Sequence, residues 1–252
     1  MLRQVGLTRT PLWVSVSPVK APFLQQAIDD MLHKGAIAVV CHPSSPGFYS
    51  RIFLVPKKNG KMRPVFDLSA LNVYLHVLRF KMLTTRQVTL ILSKGDWVAS
   101  LDLADAYVHI PICPISRKYL RFAYQDVVYE FHSLPFGIAT APYVFTRVSC
   151  QLSKFLQPFG IPLHMYINDW LTQALSAFLT ALRIRLIMLL ARAFGWIINL
   201  LISELVPTQA MIFVGVRFQL ALGLMFPPQE RFLKICQKVH HVLTTPSIHL
   251  QE

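Results

Sequence analysis

Along the 252-residue chain, apolar positions recur at two different periods, and the switches between them mark out the elements. "APFLQQAIDDMLHKG" carries Pro22 near its start, apolar residues at helical spacing and Gly35 just past its end, which predicts a short amphipathic helix. "CHPSSPG" follows as a loop. Two strand-like runs, "SRIFLVP" and "RPVFDL", flank "KKNGKM", whose Asn59-Gly60 pair favours a tight hairpin turn with a basic tip. "WVASLDL" predicts a buried strand ending in acids at Asp102 and Asp105, and "YLRFAY" with "VVYEFH" predicts a second hairpin about Gln125-Asp126.

In the second half, the spacing from Ala139 to about Leu156 suits a helix, "IPLHMYI" a strand, and "WLTQ" its antiparallel partner after the Asn168-Asp169 turn. The stretch Phe178 to Ile202 predicts a buried helix, over about residues 176–194, followed by a strand, and "MIFVGVRF" predicts a further strand. Pro227-Pro228 marks a boundary before a short, basic, helical tail. Strands and helices are mixed without an internal repeat, so the expected class is α+β.

With 54% apolar residues, the chain is expected to bury a substantial core instead of staying disordered. Its formal charge of +13 favours a polyanionic partner, and charge alone does not choose between nucleic acid and an anionic membrane surface. Cys41, Cys113, Cys150 and Cys236 lie far apart and form no C-x-x-C pair, which argues for free thiols in a reducing compartment and against a disulfide framework or zinc site. The N-terminal residues lack the apolar core of a secretory signal. Arg183, Arg185 and Arg192 interrupt Phe178 to Ile202, leaving no uncharged run of the ~18–20 residues that a span requires. An intracellular protein, cytoplasmic or nuclear, is expected.

Between residues 131 and 229, Asp169 and Glu204 are the only acids. Phosphoryl transfer to a polynucleotide end commonly uses two divalent cations about 3.5–4 Å apart, held by carboxylates on rigid neighbouring strands. Asp102 at one strand end and Asp169 at a later hairpin tip would share such a site if their strands were adjacent. The other reading is that each acid simply caps a turn.

"SLDLADAY", "LPFGIATAPYVFTR" and "YINDW", in this order after "FLVPKKNGKMRPVFDLSALN", resemble the successive motifs of reverse transcriptases. "RKYLRF", "GWIIN" and "SELVPTQ" extend the resemblance to the enzymes of DIRS-like, tyrosine-recombinase-bearing retrotransposons, and in all it covers roughly residues 20–230. It implies a right-hand polymerase: an N-terminal lead (1–19), fingers (20–95 and 113–138), palm (96–112 and 139–226) and a truncated thumb or connection tail (227–252). It further implies two Mg²⁺ or Mn²⁺ ions held by Asp102, the Leu103 carbonyl and Asp169. The expected partners are an RNA or DNA template with its primer, and deoxynucleoside triphosphates. The triphosphate would meet Lys58 and Arg63, with Lys57 and Lys61 nearby, and Asp105, Ala106, Tyr107, Phe136 and Gly137 would complete the nucleotide site. Tyr107 would exclude a 2′-hydroxyl, and Phe213, Val214 and Gly215 would belong to a primer-holding hairpin, where the apolar pattern alone reads as a plain buried strand.

Two positions depart from the family pattern. Asn168 stands where the first of two adjacent aspartates is expected, replacing an anionic metal ligand with a neutral amide. Ile202 stands where a lysine just before the serine would assist pyrophosphate departure. Together with apolar residues on helix faces that are usually charged, these suggest a degenerate copy with weak or absent synthesis. The alternatives are a non-catalytic nucleic-acid-binding remnant and a membrane-associated or aggregation-prone fragment. The ribonuclease H that accompanies this polymerase in the family has no counterpart acidic cluster in these residues.

Overall fold

The computed structural model describes residues 6–56, 62–227 and 229–244; Lys57, Lys58, Asn59, Gly60 and Lys61 lie outside the described residues, as do the two ends of the chain. In chain order the elements begin with α1 (Ala21–His33), β1 (Ile37–Val39), β2 (Arg51–Pro56), β3 (Met62–Asp67), α2 (Ser69–Asn72), α3 (Thr85–Ile91) and β4 (Trp97–Asp102). A 3-10 turn at Ala106–His109 leads to α4 (Pro114–Arg117), β5 (Arg121–Tyr124), β6 (Val127–Phe131) and α5 (Ala141–Leu156). Then come β7 (His164–Tyr166), β8 (Asp169–Ala174), α6 (Ala177–Ala193), β9 (Ala210–Phe213), β10 (Val216–Gln219), β11 (Leu224–Phe226) and α7 (Gln229–Thr244). They fall into two compact units. The first holds the described residues up to Lys81 with Asp105–Ser149; the second holds Met82–Ala104 and the described residues from Cys150 onward.

The first unit is built on the antiparallel sheet β1-β6-β5 and the β2-β3 hairpin. Gln125 and Asp126 both take positive φ, 46° and 60°, between the paired Tyr124 and Val127, the two-residue turn whose twist matches that of the flanking strands. Pairing from Arg51 with Asp67 to Pro56 with Met62 forms the other expected hairpin on either side of the basic loop. α1 ends as Gly35 predicted: Gly35 takes φ 65°, its N–H reaches the Leu32 carbonyl, and the Ala36 N–H reaches that of Met31. Phe66, Phe122, Tyr129 and Phe131 form an aromatic core about Phe122. Arg121, almost fully buried, is held by Glu130 at 3.2 Å and by the Ser45 carbonyl at 3.0 Å. Gly47 leaves the room, since a Cβ there would lie 2.7 Å from the Arg121 Cδ.

In the second unit, the antiparallel sheet β4-β8-β7 is covered by α6 through Thr180, Ile184, Ile187 and Ala191. Val88, Val98, Leu171, Met211, Phe213, Phe218 and Leu220 form its core beside the sheet β11-β10-β9.

Three expectations are corrected in this unit. α6 is buried along one face only; Phe178, Leu182 and Leu189 on it are more than half exposed, because a single sheet covers a single helix face. No strand forms between α6 and Ile202: Gly195 turns the chain at φ 84°, and Ile198 makes only an isolated bridge to Leu103. "MIFVGVRF" is a hairpin, as the family resemblance implied, instead of the one strand its apolar pattern predicts, because Val214 and Gly215 both take positive φ and reverse the chain between β9 and β10. None of the four cysteines is in a disulfide. Among the described residues, no helix is long and apolar enough to cross a membrane.

Candidate active site

β4 and β8 are neighbours, and their register sets Asp102 directly opposite Asp169. That brings together two acids 67 positions apart in the chain. β7 returns to β8 through a two-residue turn, Ile167-Asn168, closed by the pairing of Tyr166 with Asp169. Ile167 takes φ 51°, a conformation disfavoured for a β-branched residue. The turn is pinned from behind by Trp170, fully buried, whose indole N–H donates to the Ile167 carbonyl at 2.9 Å and whose ring meets Trp196 edge-on at 5.5 Å.

The carboxyl groups sit in an environment that resists charge. Burial, with the negative charges of Asp102 and Glu204 adding to it, pushes Asp169 up to about 7. Burial also raises Asp102, and a hydrogen bond from Asn168 partly opposes that shift. This bond runs from the Asn168 amide nitrogen to Asp102 Oδ2 at 2.7 Å. The Asn168 backbone carbonyl also accepts the Leu103 N–H at 2.8 Å, so Asn168 grips the end of β4 twice.

The loop after α6 backs the site. The Asp102 N–H donates to Ser203 Oγ at 2.9 Å, that hydroxyl donates to the Asn199 carbonyl at 2.7 Å, and the Asn199 N–H returns to the Asp102 carbonyl at 2.8 Å. The bridge beside Leu103 uses the Asp102 carbonyl and the Ala104 N–H, leaving the Leu103 carbonyl outside that ladder. Asn199 and Ser203 stand in "GWIIN" and "SELVPTQ" but drew no role there, because only the fold carries a segment about one hundred residues downstream to Asp102. Ile202, in the same loop, is 64% exposed.

In the first unit, Asp105 takes φ 48° at the entrance to the 3-10 turn and pairs with Lys34 at 2.8 Å. Ala106 and Tyr107 are buried behind it. Phe136 lies over Tyr107 with ring centroids 4.7 Å apart, and Phe145 meets that ring edge-on at 5.5 Å. Phe136 is the exposed member of this stack. Gly137, at φ 98°, has the Phe66 carbonyl 3.3 Å from where a Cβ would stand, so the loop needs glycine on both counts. Asn72 clasps that loop with both ends of its amide, donating to the Gly137 carbonyl at 2.9 Å and accepting the Ala139 N–H at 2.8 Å. It stands inside the quoted "DLSALN" but drew no role there. Arg63 is exposed on β3, opposite Val55, and Lys58 lies outside the described residues.

Phe213 belongs to the core of the second unit, with Val214 and Gly215 at the tip of its hairpin. Among the described residues, no group of three or more His, Cys, Asp and Glu is gathered for a metal; Asp102 and Asp169 face each other as a pair.

Residues 55–193 match the family model described as "Reverse transcriptase (RNA-dependent DNA polymerase)". The Pro-Pol polyprotein of Simian foamy virus type 1 is 26% identical over 139 residues, 55% of this chain and 12% of that one. The Retrovirus-related Pol polyprotein from transposon opus of Drosophila melanogaster is 26% identical over 170 residues, 64% of this chain and 16% of that one. The chain thus spans about an eighth to a sixth of the length of such curated relatives. Among solved structures, the foamy viral protease-reverse transcriptase in complex with dsDNA is similar at a TM-score of 0.76 and 22% identity, over 95% of this chain and 50% of that one. The same kind of protein in complex with an RNA/DNA hybrid gives 0.74 and 20%, over 93% and 31%.

Proposed function

Because this chain belongs to the reverse transcriptase (RNA-dependent DNA polymerase) family, and has the fingers-and-palm fold of such enzymes, we propose that it is the polymerase domain of a DIRS-like retrotransposon polyprotein. In this reading it extends a primer on an RNA or DNA template with deoxynucleoside triphosphates, and synthesis is impaired at Asn168 and Ile202. The observation that carries it is the direct opposition of Asp102 and Asp169 on β4 and β8. "RKYLRF", "GWIIN" and "SELVPTQ" support the narrower DIRS-like assignment.

The donor set fits a divalent cation: two cross-strand carboxylates and the Leu103 carbonyl are the hard oxygens that Mg²⁺ or Mn²⁺ prefers. When bound, such ions neutralise charge on the transferring phosphoryl group. The rest falls to the chain. The Asn199–Ser203 hydrogen bonds fix the backbone of Asp102, and Trp170 fixes the turn carrying Asn168. Arg63, with Lys58, offsets triphosphate charge. Tyr107 is wedged between Phe136 and Phe145 and acts against a 2′-hydroxyl as a fixed wall. Asn168 brings no negative charge to the metals, and Ile202 has no proton to give a leaving group.

Primer extension on an RNA template with Mg²⁺ or Mn²⁺ tests this reading. Loss of one charge at a divalent site is expected to cost roughly 10³-fold or more in rate, recovered in part by Asn168→Asp and further by adding Ile202→Lys. Robust synthesis by the unaltered chain, abolished by Asp102→Ala, would refute the impairment. Duplex binding without incorporation in any variant would favour a non-catalytic nucleic-acid-binding protein.

A further inference from the structure

We propose that the Asn168 side chain is an internal occupant of the cation site: its amide nitrogen holds Asp102, so a divalent ion binds only after that hydrogen bond breaks and the amide swings away. This rests on the metal-site reading above and goes further, since it makes Asn168 a competitor of the metal instead of merely a poor ligand.

The geometry separates the two roles. A side-chain amide has a donor end and an acceptor end, and a carboxylate and a cation require opposite ends of it. At 2.7 Å from Asp102 Oδ2, the donor end is the one engaged, in a short bond to a carboxylate. Both backbones are tied by hydrogen bonds. Asn168 is held by the Leu103 N–H, and Asp102 by Ser203 and Asn199. Rotation of the Asn168 side chain breaks the bond to Asp102 without disturbing these backbone hydrogen bonds. An aspartate at this position has no N–H to donate, so replacing aspartate by asparagine does more than remove a charge: it supplies a cation substitute that travels with the chain.

The two roles predict opposite effects of truncation. Mn²⁺ binding to the full 252-residue chain, followed by the loss of the free-ion signal in electron paramagnetic resonance, is compared for the unaltered protein, Asn168→Ala, Asn168→Asp and Asp102→Ala. Breaking a hydrogen bond to a charged group is expected to tighten Mn²⁺ binding about tenfold in Asn168→Ala relative to the unaltered chain, with Asn168→Asp tighter still. Binding by Asn168→Ala equal to or weaker than that of the unaltered chain overturns the inference, while Asn168→Asp still binding leaves the metal-site reading standing. If Asn168→Asp binds no better than Asp102→Ala, both fall. Should Asn168→Ala fail to fold, the unaltered chain carries the test: with asparagine labelled by nitrogen-15, the Asn168 side-chain amide signals are expected to shift on saturation with Mg²⁺. Signals that stay in place overturn the inference.

Discussion

At Asp169, burial and neighbouring charge act in the same direction, holding its carboxyl near 7 against 3.8 for a free side chain. The folded state therefore binds this proton more tightly than the unfolded chain does. The resulting stabilisation is fully present below about pH 4, declines as pH rises, and is gone above about 7, with an upper limit of about 4 kcal/mol. In metal-free buffer, urea unfolding is expected to show lower stability at pH 8 than at pH 5, with Asp169→Asn removing most of that dependence; an unaltered chain with a flat profile would contradict the assignment. That two acids mattered was legible in the sequence, since Asp169 is conspicuous in an acid-poor half and Asp102 ends an apolar run. Which end of the Asn168 amide faces Asp102 was not legible, because hydrogen-bond polarity depends on where the partner's oxygens lie.

The elements read most easily where a local rule fixes the backbone. Gly35 ends α1, and Asp126 helps turn β5 into β6, because each position needs a positive φ that glycine, and to a lesser degree aspartate, accepts. β9 and β10 evaded that rule, since Val214 is a poor residue for the left-handed region and hides a turn inside an apolar run. Its strain suggests a measurement: Val214→Asn, which creates an Asn-Gly turn, is expected to stabilise the second unit by about 1 kcal/mol in chemical denaturation. Destabilisation would show that Val214 gains more from packing against its neighbours than the turn costs. α6 escaped for a different reason. Its composition is apolar nearly all round, which predicts burial, yet the sheet β4-β8-β7 covers only the face of Ile184 and Ile187.

For the molecule as a whole, 25 Lys and Arg against 12 Asp and Glu make phosphate contacts the dominant contribution to the proposed binding of a primer-template duplex. The logarithm of the binding constant is expected to fall linearly with the logarithm of salt, with a slope near −4 to −5 if about five phosphates are neutralised. Asp102→Ala should leave that slope unchanged, and affinity indifferent to salt would exclude the polyanion reading. The sequence by itself determined the α+β class, helix α1, the β2-β3 and β5-β6 hairpins, the excess of positive charge and the motif order that marks the family, because each is a matter of local pattern or of summed charge. Only the tertiary structure decided which residues meet: the register that opposes Asp102 to Asp169, the Asn199–Ser203 loop beneath them, the Asn72 clasp on Gly137 and the grip of Asn168 on Asp102. Those contacts join residues far apart in the chain, whose pairing is set by packing and strand register, and neither can be read from a stretch of neighbours.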